Sequence, residues 1–242
     1  DGAEQRRIER ERAREERRLA RAADAESRPG FIGGRHVAVP VADFVARRAR
    51  ELFEEVTTAG LQRRGQLGEM WRTIDTIDQR MLRAIDALAV IGDGAVRELE
   101  HLVLDAPAKV PAMGFAAAFA LGTFEGRDAL AAIERVTRFL DPDTDAVRSA
   151  VAGGLMLAPH PDLAPLLRAW LGDVSPSMRA LAIDVLGYRK LATLKDLERA
   201  LEDVDPLVIA TALRWAALGP ESARSAARVA VEARRGTTDA RF

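Results

Sequence analysis

Ser175-Pro176-Ser177-Met178-Arg179-Ala180-Leu181-Ala182-Ile183-Asp184-Val185-Leu186-Gly187 is the stretch from which the rest of the chain can be read. Proline is tolerated in the first turn of a helix, where its missing N–H would have no intrahelical partner. A serine just before it can cap the exposed amides. A glycine at the far end can close the helix in the left-handed region. The alanines and leucines between favour helix. The same punctuation recurs. Asp105-Ala106-Pro107, Asp141-Pro142 and Asp205-Pro206 mark three further starts. Gly92, Gly122, Met156, Gly187 and Gly219 mark ends, separated by 30, 34, 31 and 32 residues. A fixed period of this size signals stacked repeats.

Second helices are predicted over about 78–91, 107–121, 143–157, 176–186 and 206–218. First helices are predicted over about 94–104, 127–140, 162–171, 192–203 and 221–234. One such hairpin cannot bury its apolar side alone, so neighbours must stack. Met178 to Gly187 resembles the second helix of a HEAT repeat of the phycobilisome-lyase-like kind. Val147-Arg148-Ser149-Ala150-Val151-Ala152 matches the same pattern one unit earlier, and the likeness covers roughly residues 78–219. It departs at Met156, where glycine is expected, at Gly153-Gly154 inside a helix, and at Thr211, which replaces the repeat arginine. The resemblance implies an α-solenoid that serves as a protein-binding scaffold, and it carries no catalytic residue.

Ile77-Asp78-Gln79-Arg80-Met81-Leu82-Arg83-Ala84-Ile85-Asp86-Ala87-Leu88, followed by Gly92, is similar to the segment ahead of the repeats in HEAT-like proteins of bacterial type VI secretion gene clusters. That likeness implies a cytoplasmic accessory protein rather than an enzyme. The expected fold is all-α. It is a right-handed-type solenoid of about four HEAT-like pairs, preceded by two or three packing helices and a charged arm.

The organisation outside the repeats follows from composition along the chain. Residues 1–28 are an Arg/Glu-dense arm. Attractive pairs such as Arg7–Glu11 sit beside repulsive ones such as Glu11–Glu15, each worth about 0.2–0.5 kcal/mol. Ile8 and Leu19 are too sparse for a coiled-coil seam. Pro29, Gly30, Gly33 and Gly34 make residues 29–40 a linker, with Val37 and Val39 suited to a short extended piece. Residues 41–77 are N-terminal packing helices: one amphipathic helix closed by Gly60, then a stripe through Trp71, Ile74, Ile77 and Met81 broken near Gly68 or Asp75. Repeats fill residues 78–235, and the polar tail 236–242 is where the array is expected to end.

Composition narrows the function classes. Of 242 residues, 48% are hydrophobic and 30% charged, as in helical globular proteins. With 36 basic against 37 acidic residues there is no general drive toward nucleic acid or anionic membrane. The absence of cysteine excludes disulfides and thiolate metal sites, and it fits a reducing compartment. No run approaches the roughly 18–20 apolar residues needed to span a bilayer, so no membrane partner is expected. No Walker loop, Gly-x-Ser-x-Gly or His-Glu-x-x-His occurs. Neither a catalytic residue nor a cofactor or metal ligand is therefore assigned.

Three histidines are present and do not cluster. His101 has Glu98 and Asp105 on its helix face, but one histidine is a thin basis for a metal. His160-Pro161-Asp162 matches the tripeptide of J-domain co-chaperones, but a turn with Asp162 near a helix start accounts for it better. Asp75, Asp78 and Asp86 read as a solvated helix face. Trp170 and Trp215 read as core, or else as anchors in a binding groove.

The reading favours a non-enzymatic scaffold or adaptor that binds a protein partner on the surface lined by second helices. The candidate contact residues are Arg148, Arg179, Arg189, Lys190, Trp215, Arg224 and Arg228. Arg148 and Arg179 occupy matching repeat positions, where an arginine can instead brace the neighbouring unit. The alternative is nucleic-acid binding through the C-terminal basic residues, as in HEAT-like DNA glycosylases. A chromophore lyase rests on family analogy alone. Leu186→Ala is expected to destabilise the protein by about 2–5 kcal/mol in urea titration. A loss under about 0.5 kcal/mol would contradict burial of Leu186 between repeats.

Overall fold

The computed structural model describes residues 31–32, 35–36, 41–65, 71–106 and 110–235. The charged arm, most of the 29–40 linker and the 236–242 tail lie outside the described residues. The chain divides into two compact units, Asp1–Val45 and Ala46–Phe242. In the first unit, β1 (Phe31–Ile32) pairs antiparallel with β2 (Arg35–His36), Phe31 opposite His36. Val37 and Val39, where a short extended piece is expected, lie outside the described residues.

The remaining described elements are helices: α1 (Val41–Gly65), α2 (Trp71–Ile91), α3 (Asp93–Leu104), α4 (Pro111–Leu121), α5 (Arg127–Leu140) and α6 (Asp145–Leu157). They continue with α7 (Leu163–Trp170), α8 (Pro176–Tyr188), α9 (Leu194–Leu201), α10 (Pro206–Leu218) and α11 (Glu221–Arg235). Apart from the short ladder, the described chain is all-α. Among the described residues no helix is long and apolar enough to cross a membrane.

Two of the four expected caps form as read. Ser175 accepts from the Met178 N–H, and Asp205 accepts from the Leu207 N–H at 2.9 Å, each with proline in the first turn. The other two differ. α4 opens at Pro111, behind an extended Val110, and Pro107 lies outside the described residues. Pro142 sits in a turn ahead of α6, whose first residue is Asp145. Asp141 instead ends α5 in the left-handed region at φ 60.

The glycine marks are also corrected. Gly92 follows α2 with a positive φ of 71, but its ψ of −141 is not that of a left-handed helical cap, and Gly122 and Gly219 have negative φ. Gly60 does not end α1, which runs on to Gly65. It is buried, and a side chain there would meet the Phe115 ring of α4 at 2.7 Å.

Apolar patterning decides which helices face water. α5 alternates faces: Ala129, Ala132, Ile133, Val136 and Leu140 are buried while Glu134, Arg135 and Arg138 reach outward. α4 is apolar all round and buried along almost its whole length, as a helix without a polar face must be. It packs against α3, α5 and α6. Further contacts run α6 to α8 and α8 to α10, while α3 lies against α5 and α9 against α11.

The most extensive of these contacts joins α4 to α6, and Gly154 sits in it. A side chain at Gly154 would run into the Phe115 carbonyl oxygen, the Ala118 Cβ at 2.8 Å and the Phe119 nitrogen at 2.9 Å. Two of those three atoms are backbone and cannot turn aside. Gly154→Ala is expected to lose about 1–3 kcal/mol by overpacking. Gly153→Ala, whose added carbon meets only the Phe115 ring at 3.6 Å, is expected to gain about 0.5–1 kcal/mol from helix propensity. Urea midpoints of the two variants check the pair, and equal shifts would contradict the α4–α6 approach.

Candidate docking surface

α8 and α10 lie side by side and hold a four-residue polar and aromatic cluster between them. The Trp215 Nε1–H donates to Asp184 Oδ1 at 2.8 Å, and the Arg214 guanidinium pairs with the same carboxylate. That guanidinium also lies 5.5 Å from the Trp215 ring centroid, a favourable cation–π placement. Tyr188 meets Trp215 edge-on, with centroids 6.3 Å apart at 87°, the geometry that the ring quadrupoles prefer. The indole reaches this position because Gly187 has no side chain: a carbon there would fall 2.7 Å from Trp215 Cδ1.

The cluster is fixed on one side and open on the other. Tyr188 is 51% exposed and Leu218, one turn beyond Trp215, is 73% exposed. Large aromatic side chains and an arginine, held in place yet solvent-facing, are the residue types that anchor protein interfaces. α4, farther toward the N-terminus, offers no such face, being almost wholly buried, with Gly60 of α1 against its Phe115.

The structure places most of the sequence-derived basic candidates in intramolecular ties. Arg179 forks onto Asp203 at 2.7 and 2.8 Å and donates to the Asp173 and Val174 carbonyls at 2.8 and 3.0 Å. Arg148, at the matching position, donates to the Pro142 carbonyl at 3.3 Å and pairs with Asp145. Both arginines therefore brace the turn ahead of their own helix, and Arg179 also grips the next unit. Arg189 donates to the Ala158 carbonyl at 2.7 Å, and burial lowers its pKa. Arg224 and Arg228 share Glu221, and Arg224 also reaches the Gly219 carbonyl at 2.9 Å. These two line a shallow groove of about 660 Å³ floored by Leu213, Ala217, Ala227 and Val231. Lys190 alone among the basic candidates forms no ion pair or side-chain hydrogen bond among the described residues.

Charge pairs missed by sequence reading link alternate helices, or a helix to a later turn. Arg135 binds Glu100 across α5 and α3, Arg138 binds Asp173 at 2.7 Å, and Arg168 binds Asp196 at 3.2 Å. The spacing of Asp173 and Asp203, each two residues ahead of a cap, was the available signal. Each accepts the cap residue's N–H at 2.9 Å.

The remaining candidates are structural. His160 is buried, and its Nδ1 accepts the Asp162 N–H at 3.0 Å, so Nε2 carries the proton toward the Gly126 carbonyl at 3.3 Å. The histidine rather than Asp162 thus caps the start of α7, and it ties that turn to the preceding one. His101 faces Asp105 at 3.2 Å while Glu98 pairs with Arg50. Asp78 pairs with Arg63. Trp170 is core, and its Nε1 has no hydrogen-bond partner among the described residues. Thr211 donates to the Leu207 carbonyl within α10. Among the described residues no three metal-ligating side chains converge.

No protein-family model, curated protein or solved structure matches the chain.

The carboxylates in these ties respond to acid in a definite direction. Burial pushes Asp173, Asp196 and Asp203 up, but arginines and backbone N–H groups outweigh it and hold all three below the ordinary aspartate value. A depressed folded pKa gives stability that is present above the unfolded value, about 3.9, and lost as pH falls through the folded one. Arg179→Met is expected to lose about 1–3 kcal/mol at neutral pH. Its remaining stability should also depend less on pH below about 4, because Asp203 then lacks its fork. Urea titrations across that range check both, and an unchanged acid profile would contradict the Asp203 assignment.

Proposed function

We propose that residues 78–235 form a HEAT-like α-solenoid acting as a non-enzymatic protein-docking scaffold, with α8 and α10 supplying the contact face. The observation that carries this reading is the Tyr188–Trp215–Arg214–Asp184 cluster, braced from behind and open to solvent. The solenoid reading is supported by helix contacts that pass between units, α4 to α6 to α8 to α10. It is supported also by the recurring turn ties of Arg148 and Arg179, each to a carbonyl six residues back. Stacks of this kind present extended surfaces to partners.

Phosphate binding draws less support, since Arg179, Arg189, Arg224 and Arg228 already have acceptors. An uncompensated track of cations is what nucleic acid requires.

Arg214→Glu places a carboxylate beside Asp184 and Trp215 at the centre of the face. Quantitative proteomics after affinity capture from the native cell is expected to show a defined partner with the unaltered chain. At least about tenfold of that recovery should be lost with the variant, the equivalent of roughly 1.4 kcal/mol. Partner recovery that ignores the variant, or no specific partner at all, ends this reading.

A further inference from the structure

The segment Tyr188-Arg189-Lys190-Leu191-Ala192-Thr193-Leu194-Lys195 joins α8 to α9 beside the aromatic cluster. We propose that this loop is the specificity element of the docking face and takes an acidic, apolar segment of a partner protein. The inference rests on the docking reading above.

Three observations carry it. The first is backbone geometry. The loop closes α8 as a Schellman turn: the Leu191 N–H donates to the Leu186 carbonyl at 2.9 Å and the Lys190 N–H to the Gly187 carbonyl at 3.1 Å. Lys190 occupies the left-handed position of that turn, at φ 57. Glycine is the usual residue there, because a Cβ crowds the following carbonyl. The other non-glycine with positive φ among the described residues is Asp141, and aspartate enters this region more readily than lysine. A lysine that breaks the local rule without a fold-level gain points to function.

The second is exposed apolar surface on a fixed frame. Tyr188, Leu191 and Leu194 are all solvent-facing within seven residues of chain. The loop is nevertheless held: Arg168 donates to the Leu191 carbonyl at 2.8 Å, and Thr193 and Asp196 form a reciprocal capping box. Side chains displayed on a preorganised loop lose less freedom on binding.

The third is charge. Asp184 and Asp196 are matched by Arg214 and Arg168. Arg189 is taken up by the Ala158 carbonyl. That leaves Lys190 and Lys195, with Glu198 as the remaining carboxylate in the segment 188–198. Neither lysine forms an ion pair among the described residues. A local surplus of cations beside apolar side chains complements glutamate or aspartate interleaved with leucine or phenylalanine. Phosphate polymers would not use the apolar trio.

The test uses the full chain and a fluorescent peptide in which glutamate alternates with leucine and phenylalanine. A lysine-for-glutamate counterpart, a single-stranded DNA oligonucleotide and anionic vesicles serve as comparison probes. The glutamate peptide is expected to bind best. Lys190→Gly should weaken it about three- to fivefold while raising the thermal midpoint, since glycine relieves the left-handed strain. Tyr188→Ala should weaken it further. Equal binding of the two peptides, indifference to Lys190→Gly, or tighter binding of DNA or vesicles would overturn the proposal. If Arg214→Glu abolishes partner capture while Lys190→Gly with Lys195→Gly leaves capture intact, the loop assignment fails and the docking reading stands.

Discussion

The approach of α4 to α6 across Gly154 is the constraint on which the described chain depends. Helices pack this closely only where one of them lacks a side chain, and here backbone atoms of Phe115 and Phe119 occupy the space. Interiors are packed at crystal-like density, so one extra carbon at such a point displaces a whole element. α4 then has no polar face to offer water and is enclosed by its neighbours. The same device recurs at lower density where Gly187 admits the Trp215 ring. In both places an absent side chain sets the distance between helices, and through it the placement of everything they carry.

Electrostatics does a second, different job. Arginines on one helix reach carboxylates two helices away or in a neighbouring turn: Arg135 to Glu100, Arg138 to Asp173, Arg168 to Asp196, Arg179 to Asp203. Exposed pairs of this sort contribute little each. The Arg179–Asp203 fork differs, because it is mostly buried and its carboxylate also accepts the Asp205 N–H. These ties fix the orientation of one hairpin on the next, where apolar packing alone is non-directional. They also take up most of the basic residues that a reading of charge along the chain would offer to a partner.

Among the side chains that still reach solvent is an aromatic and polar set on the C-terminal halves of α8 and α10. Trp215 shows how far the sequence went. As a tryptophan in a repeat it was legible as either core or anchor, and it is partly both, its ring against Gly187 and nearly perpendicular to the ring of the exposed Tyr188. Asp184 and Arg214 were invisible as partners because they are 30 residues apart and meet only once α8 and α10 are adjacent. Lys190 was legible as a basic residue, but its left-handed backbone was not, since nothing in the residue type announces it.

The order of helices, their approximate limits and the two caps at Ser175 and Asp205 were determined by local sequence. Helix starts, propensity and apolar period depend on residues within a turn or two of each other. The start expected at Pro142 lies in a turn instead, because the chain is still extended at Thr144 and the helix opens only at Asp145; ahead of α4 it is Pro111 that takes the first-turn place, and Pro107 lies outside the described residues. Gly60, Gly122 and Gly154 look like breakers or irregularities in one dimension. Only the tertiary structure decided that they are points of close approach, because the atoms that need the space lie on helices distant in the chain.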